Sequence, residues 1–174
     1  MSTSLPEDYD RLTASLWQPL AEQLKWRGWK LATAESCTGG LIAAGCTALA
    51  GSSDWFERGF VTYSNESKQE MLGVDKAALD AYGAVSKAVA QAMATGAIVR
   101  SKAQVSVAVT GVAGPGGGSA DKPVGTVWFA FCLPGRPPLA ELRNFAGDRA
   151  AVRAATVKHA RERLSGLVQG APEK

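Results

Sequence analysis

The sequence predicts an α/β fold, a three-layer α/β/α sandwich around a mixed, mostly parallel sheet. Three observations predict it. Short β-prone runs at 31–34, 60–63 and 104–110 alternate with helix-patterned segments, as they do where crossover helices cover a sheet. Val105, Val107 and Val109 alternate with small residues instead of polar ones, which marks a strand covered on both sides. Two further β-prone runs, 123–133 and 139–145, follow each other across a Pro134-Gly135 turn and pair as neighbours, which mixes the sheet.

The elements follow in order. Residues 9–28 are helical, with Leu12, Leu16, Leu20 and Leu24 on one stripe, Pro19 predicting a kink or a fresh start, and Gly28 ending the run. Leu31, Ala32, Thr33 and Ala34 form a short buried strand. A helix over 41–50 stops at Gly51, and 51–54 turn into the strand at 60–63. Ser64 caps a short helix over 65–72, closed by Gly73. Another short helix at 75–82 is again stopped by a glycine. Ser86 caps a longer helix whose Val89, Ala92, Met93, Ala97 and Ile98 share a face. The segment 111–118 is a glycine-rich loop. Gly147-Asp148 opens a last amphipathic helix with Val157, Ala160, Leu164 and Leu167 turned inward. The whole chain, 1–174, reads as one domain whose residues 1–8 and 171–174 are loose.

Composition narrows the class. Hydrophobic residues at 46% and charged ones at 20% are those of a globular protein with an ordinary core, and a net charge of +3 is too mild to indicate nucleic-acid binding. No apolar run is long enough to span a membrane, and the polar, acidic first ten residues are unlike a signal peptide. Three cysteines without metal-ligand spacing read as reduced thiols in a cytoplasm. One histidine, His159, is too little for a histidine metal site and falls within a helix, so neither a metal nor a cofactor is expected.

The chemistry gathers in three loops at strand ends, where open α/β sheets bind ligands. In Glu35-Ser36-Cys37-Thr38-Gly39-Gly40 a strand turns into a helix and leaves backbone N–H groups at the positive end of a dipole, able to hold an anion or an oxyanion. Ser36 stands at that turn as the candidate nucleophile. The same residues read equally as a helix cap and a tight corner. Cys37 is a second nucleophile candidate, but it has no evident histidine partner.

Tyr63-Ser-Asn65-Glu-Ser-Lys68 adds a phenol, a carboxamide and an amine. A lysine in the first turns of a helix opposes the dipole and loses affinity for its proton, and a neutral lysine can deprotonate a serine. A solvated Lys68 and a rim-placed Tyr63 are the alternatives. Arg149 follows the Asp148 cap, where its charge is misplaced unless a phosphate sits across the helix start or Asp148 or a neighbour pairs with it; Arg153, one turn on, either assists or faces water. The loop from Thr110 and Gly111 lacks the lysine of a P-loop and no helix clearly follows it. Position 39 is glycine, so no Ser-x-x-Lys motif is present, and Ala34-Glu-Ser-Cys-Thr38 is not a Gly-x-Ser-x-Gly elbow.

Together, Ala32-Thr-Ala-Glu-Ser-Cys-Thr-Gly-Gly40, Gly59-Phe-Val-Thr-Tyr-Ser-Asn-Glu-Ser-Lys68, Val109-Thr-Gly-Val-Ala-Gly-Pro-Gly-Gly117 and Gly147-Asp-Arg149 resemble the CinA C-terminal domain family. That family includes stand-alone amidases converting nicotinamide mononucleotide (NMN) to nicotinate mononucleotide and ammonia. The resemblance spans nearly the whole chain and lacks the pyrophosphatase-like domain of longer members. It implies Ser36 as nucleophile, Lys68 as general base and Tyr63 as supporting hydroxyl. It implies Thr110 near the ligand, with Arg149, and less securely Arg153, at the phosphate. The expected substrate contacts are Cys37, Thr38, Gly39, Gly40, Asn65, Thr110, Gly111, Arg149 and Arg153. The partner expected is the nucleotide alone, without nucleic acid or membrane, in a cytoplasmic homo-oligomer, a dimer. The alternative is a catalytically silent nucleotide-binding paralogue acting with a partner in competence or the DNA damage response. A third reading is an amidase for another carboxamide.

Overall fold

The computed structural model describes residues 8–172, with side chains from Thr13 onward. Five strands form one sheet: β1 Leu31–Glu35, β2 Phe56–Val61, β3 Val105–Gly111, β4 Thr126–Cys132 and β5 Leu139–Asn144, in the order β2-β1-β3-β4-β5. β1 is parallel to both β2 and β3, whereas β4 is antiparallel to β3 and to β5. Four strands therefore point one way and β4 runs against them, so the sheet is mixed and mostly parallel.

Among the described residues six α-helices cover its two faces: α1 Asp8–Arg27, α2 Leu41–Ala48, α3 Asn65–Leu72, α4 Lys76–Tyr82, α5 Lys87–Val99 and α6 Arg149–Gln169. Strand alternation sorts the core into two. Leu31, Val105, Val107, Val109, Phe129 and Phe131 face α1, α2 and α6. Ala32, Ala34, Ala108, Ala130 and Cys132 face α3, α4 and α5. That second face is nearly all small residues, so its helices lie close to the sheet.

Several local expectations shift. α1 runs unbroken through Pro19, because Trp17, Leu20, Ala21 and Leu24 are buried on both sides of the proline and their packing outweighs one lost backbone bond. Its inward face is centred on Trp17, leaving Leu16 53% exposed; the side chain of Leu12 lies outside the described residues. β2 starts four residues earlier than expected and ends at Val61, so Thr62 and Tyr63 lie beyond it. Its Glu57-Arg58-Gly59 centre hid an edge strand whose outer positions face water. α2 ends at Ala48, and Ser52–Asp54 makes a short 3-10 turn.

α5 buries Ala90, Ala94 and Gly96 beside Val89, Met93 and Ala97, with Ala92 and Ile98 at the margin. α6 buries Val152, Thr156, Ala160, Leu164 and Val168, whereas Val157 and Leu167 are only half-buried. Thr156 concealed this stripe; its hydroxyl donates to the Val152 carbonyl at 2.7 Å, so a polar residue fits inside. At the C-terminal end Ala171 is buried, and Arg27 donates to the Ala171 and Pro172 carbonyls at 2.8 and 3.1 Å. Residues 171–172 are thus tied down, against expectation. Residues 1–7 and 173–174 lie outside the described residues.

Candidate active site

The parallel trio β2-β1-β3 brings its strand ends together. Glu35 pairs with Val61 on one side and Val109 on the other, so the turn 36–40, the segment 62–64 and the loop after Gly111 leave one edge of the sheet side by side.

The turn is built by Glu35, a residue whose role sequence reading missed. Its buried carboxylate accepts from Thr38 Oγ1 at 2.7 Å, Ile42 N at 2.8 Å, Ala43 N at 2.9 Å and Thr33 Oγ1 at 3.3 Å. Neither Ser36 nor Thr38 caps α2. The N-cap is Gly40, which has no side chain to offer, and Glu35 takes the first-turn N–H groups from inside. Gly39 and Gly40 both have positive φ, 59° and 100°, the left-handed region that glycine enters without strain. Ser36 N–H donates to Val109 and Gly39 N–H to Ser36, whereas among the described residues the Thr38 and Gly40 N–H groups make no backbone hydrogen bond and the Cys37 N–H serves its own thiol.

α3 brings the amine. Ser64 and Ser67 close a reciprocal cap, with Ser67 N–H on Ser64 Oγ at 3.0 Å and Ser64 N–H on Ser67 Oγ at 3.1 Å. Lys68, the fourth residue of α3, then points inward and is only 1% exposed. Its Nζ lies 3.0 Å from Ser36 Oγ and donates to the Thr62 carbonyl at 2.7 Å. Burial pushes the Lys68 amine down to about 8, against a smaller opposing influence from Cys37. No carboxylate pairs with it among the described residues. Near neutral pH a proton therefore leaves this amine far more readily than it leaves a surface lysine.

The other expected residues divide. Tyr63 is 61% exposed, and its hydroxyl accepts from Arg149 at 2.8 Å, so it meets the arginine and not Lys68. Arg149 also donates to the Gly114 carbonyl at 2.9 Å, which ties the glycine loop to the start of α6. The Arg149–Asp148 pair does not form; Asp148 caps α6 by accepting from Ala151 N–H. Arg153 reaches back to the turn and donates to the Thr38 carbonyl at 3.2 Å, while its buried Nε has no partner. Both arginines, with Pro115, Val124, Gly147, Asp148 and Ala150, line a cavity of about 630 Å³, which neither Ser36 nor Lys68 lines and which Arg153 links to the turn through Thr38.

Thr110 is buried and its hydroxyl donates to the Ala84 carbonyl at 2.9 Å, so it ties β3 to the α4–α5 loop. Gly111 ends β3, packed against β4. Asn65, the first residue of α3, is exposed beside Ser64. The Cys37 side chain points into the core of α1, α2 and α6, where burial pushes its thiol up to about 11; the expected help from the helix start is outweighed. His159 lies away from this edge, packed on Phe129 and 3.2 Å from Glu141. Among the described residues no group of three or more His, Cys, Asp or Glu side chains is placed to hold a metal, and no helix is long and apolar enough to cross a membrane.

The model of the CinA C-terminal domain matches residues 13–168. Nicotinamide-nucleotide amidohydrolase PncC of Escherichia coli strain K12 is 49% identical over 149 residues, covering 86% of this chain and 90% of that protein. The protein of the same name from Enterobacter agglomerans is 56% identical over 130 residues, covering 75% and 79%. A crystal structure of a CinA superfamily protein from Klebsiella pneumoniae superposes with a TM-score of 0.87 at 39% identity, covering 91% of this chain and 99% of that one. On fold, on strand-end geometry and on sequence, the chain belongs to the CinA C-terminal domain family.

Proposed function

We propose that the protein is a nicotinamide-nucleotide amidase, hydrolysing NMN to nicotinate mononucleotide and ammonia through an acyl-enzyme on Ser36. The observation that carries this reading is the 3.0 Å contact between the Ser36 hydroxyl and the buried Lys68 amine. The names of the relatives support the substrate.

The chemistry follows from the geometry. Neutral Lys68 takes the Ser36 proton as Oγ attacks the carboxamide carbon. The N–H groups free on the 37–40 turn receive the oxyanion, and Lys68 then returns its proton to the departing nitrogen, which leaves as ammonia. Water, deprotonated by the same amine, attacks the acyl carbon and frees Ser36 as the carboxylate product departs. The Thr62 carbonyl steadies the ammonium form of Lys68 between these steps. Tyr63 acts by holding Arg149, and the α6 start with Arg149 receives the phosphate across the 630 Å³ cavity. Arg153 and Thr110 act on the shape of the site, and Asn65 stays available at its rim. The setting is pyridine nucleotide salvage in the cytoplasm, by a homodimer.

Incubating purified protein with NMN and assaying ammonia tests the reading. Turnover by the wild type and none by Ser36→Ala supports it. Binding without ammonia from either protein would leave the silent nucleotide-binding paralogue, and comparable rates on nicotinamide or its riboside would favour another carboxamide.

A further inference from the structure

Glu35 ends β1 immediately before Ser36 and is fully buried, with no cation paired to it among the described residues. Ile42 and Ala43, whose N–H groups it accepts, are the second and third residues of α2. The anion-binding start of α2 is thereby filled by a carboxylate of the chain itself. A substrate phosphate or oxyanion has to find its donors elsewhere, and on the turn those are the N–H groups of Thr38 and Gly40, which make no backbone hydrogen bond among the described residues. The peptides that carry them are clamped at Thr38 from two sides. Its hydroxyl donates to Glu35 at 2.7 Å, and its carbonyl accepts from Arg153 at 3.2 Å.

We propose that Glu35 is a positioning residue for the hydrolysis: through Thr38 and the first turn of α2 it fixes the 37–40 peptide planes so that their free N–H groups face the developing oxyanion. The assignment rests on the amidase reading above. Four donors converge on an acceptor-only group, so a carboxamide, which brings an NH₂ of its own, sets donor against donor. The shorter aspartate draws the acceptor back from α2 by one methylene.

The test uses the full chain carrying Glu35→Gln or Thr38→Val, with kcat and KM measured separately on NMN. Melting temperature and the rate at which a fluorophosphonate labels Ser36 are measured beside them. Glu35→Gln should lose about a hundredfold in kcat, the scale of one misplaced oxyanion donor, and Thr38→Val about tenfold. KM should stay within about threefold and the pH midpoint unmoved, because Lys68 keeps both of its partners. Phosphonylation, which needs the same donors, should slow in parallel. Unchanged kcat with only a lower melting temperature overturns the proposal, as does a change confined to KM. If Glu35→Gln does not fold, Thr38→Val decides alone. If the wild type releases no ammonia, the amidase reading fails, and an unaltered phosphonylation rate in the variants then overturns the clamp as well.

Discussion

The Tyr63 phenol accepts a hydrogen bond from the Arg149 guanidinium at 2.8 Å, joining the end of β2 to the first residue of α6 across 86 positions of sequence. This contact gives Arg149, the residue proposed to meet the phosphate, a fixed direction, with the Gly114 carbonyl as its second anchor. Arg149→Ala should raise KM for NMN by about ten- to a hundredfold, the scale of a charge-assisted hydrogen bond. If Arg149 grips phosphate, the wild type should favour the mononucleotide over the riboside, and the variant should lose that difference. Tyr63→Phe leaves the charge and loses one anchor, so a rise of roughly two- to tenfold is expected. Steady-state kinetics on both substrates check the pair. Equal losses on riboside and mononucleotide would mean that Arg149 does not read the phosphate.

Lys68 is costly to bury. Its folded value of about 8 lies below the ordinary 10.5, so the unfolded chain holds more protons than the folded one between those limits. The folded state therefore bears a penalty on the order of 3 kcal/mol below pH 8, relieved as pH rises from about 8 to 10.5. Lys68→Met should abolish turnover yet melt no lower than the wild type at pH 7, with its advantage shrinking through that window. Melting curves at pH 7 and pH 10 check this. A variant less stable at pH 7 than at pH 10, relative to wild type, contradicts the sign.

All three thiols are buried and held protonated, Cys37 at about 11 and Cys46 and Cys132 also raised, chiefly by burial. At pH 8 about one Cys37 in a thousand is thiolate, so iodoacetamide should label the native protein slowly and the urea-unfolded chain at all three sites. Cys37→Ala should keep most of the activity and cost stability alone, about 1 kcal/mol. Mass spectrometry of the labelled protein, with the ammonia assay on the variant, separates a packed thiol from a nucleophile.

Position 96 connects stability to the site. A methyl group added there would run into the Leu72 carbonyl, at the last residue of the helix that carries Lys68. Gly96→Ala should destabilise the protein by about 1–3 kcal/mol through overpacking and lower kcat by pushing α3, and Lys68 with it, away from Ser36. Denaturant titration and kinetics read the two effects separately.

The helix caps at Ser64, Ser86 and Asp148 were legible because a cap is a local event within four residues, whereas Asp75, read as the first helical residue, proves to be the cap. The Ser36 turn and the Lys68 helix were legible for the same reason. Their meeting follows from β1 lying beside β2, which alternating strands and helices imply. Glu35 was hidden because two of its four donors, seven and eight residues on, are backbone groups that carry no side-chain signal, and the other two are threonines that read as ordinary turn and strand residues. The Tyr63–Arg149 and Arg153–Thr38 contacts span 86 and 115 positions and depend on the placement of α6. The tie from Thr110 to the Ala84 carbonyl was hidden because a strand-end hydroxyl reads alike whatever it donates to.

The central claim is proton transfer from Ser36 to an uncharged Lys68, and the pH dependence of kcat/KM for ammonia release from NMN tests it most directly. The account predicts a rise with unit slope up to a midpoint near 8, a plateau above it, and a loss of more than about a thousandfold at every pH in Lys68→Met. A flat profile between pH 6 and 10, or a Lys68→Met variant that keeps turning over, would contradict it.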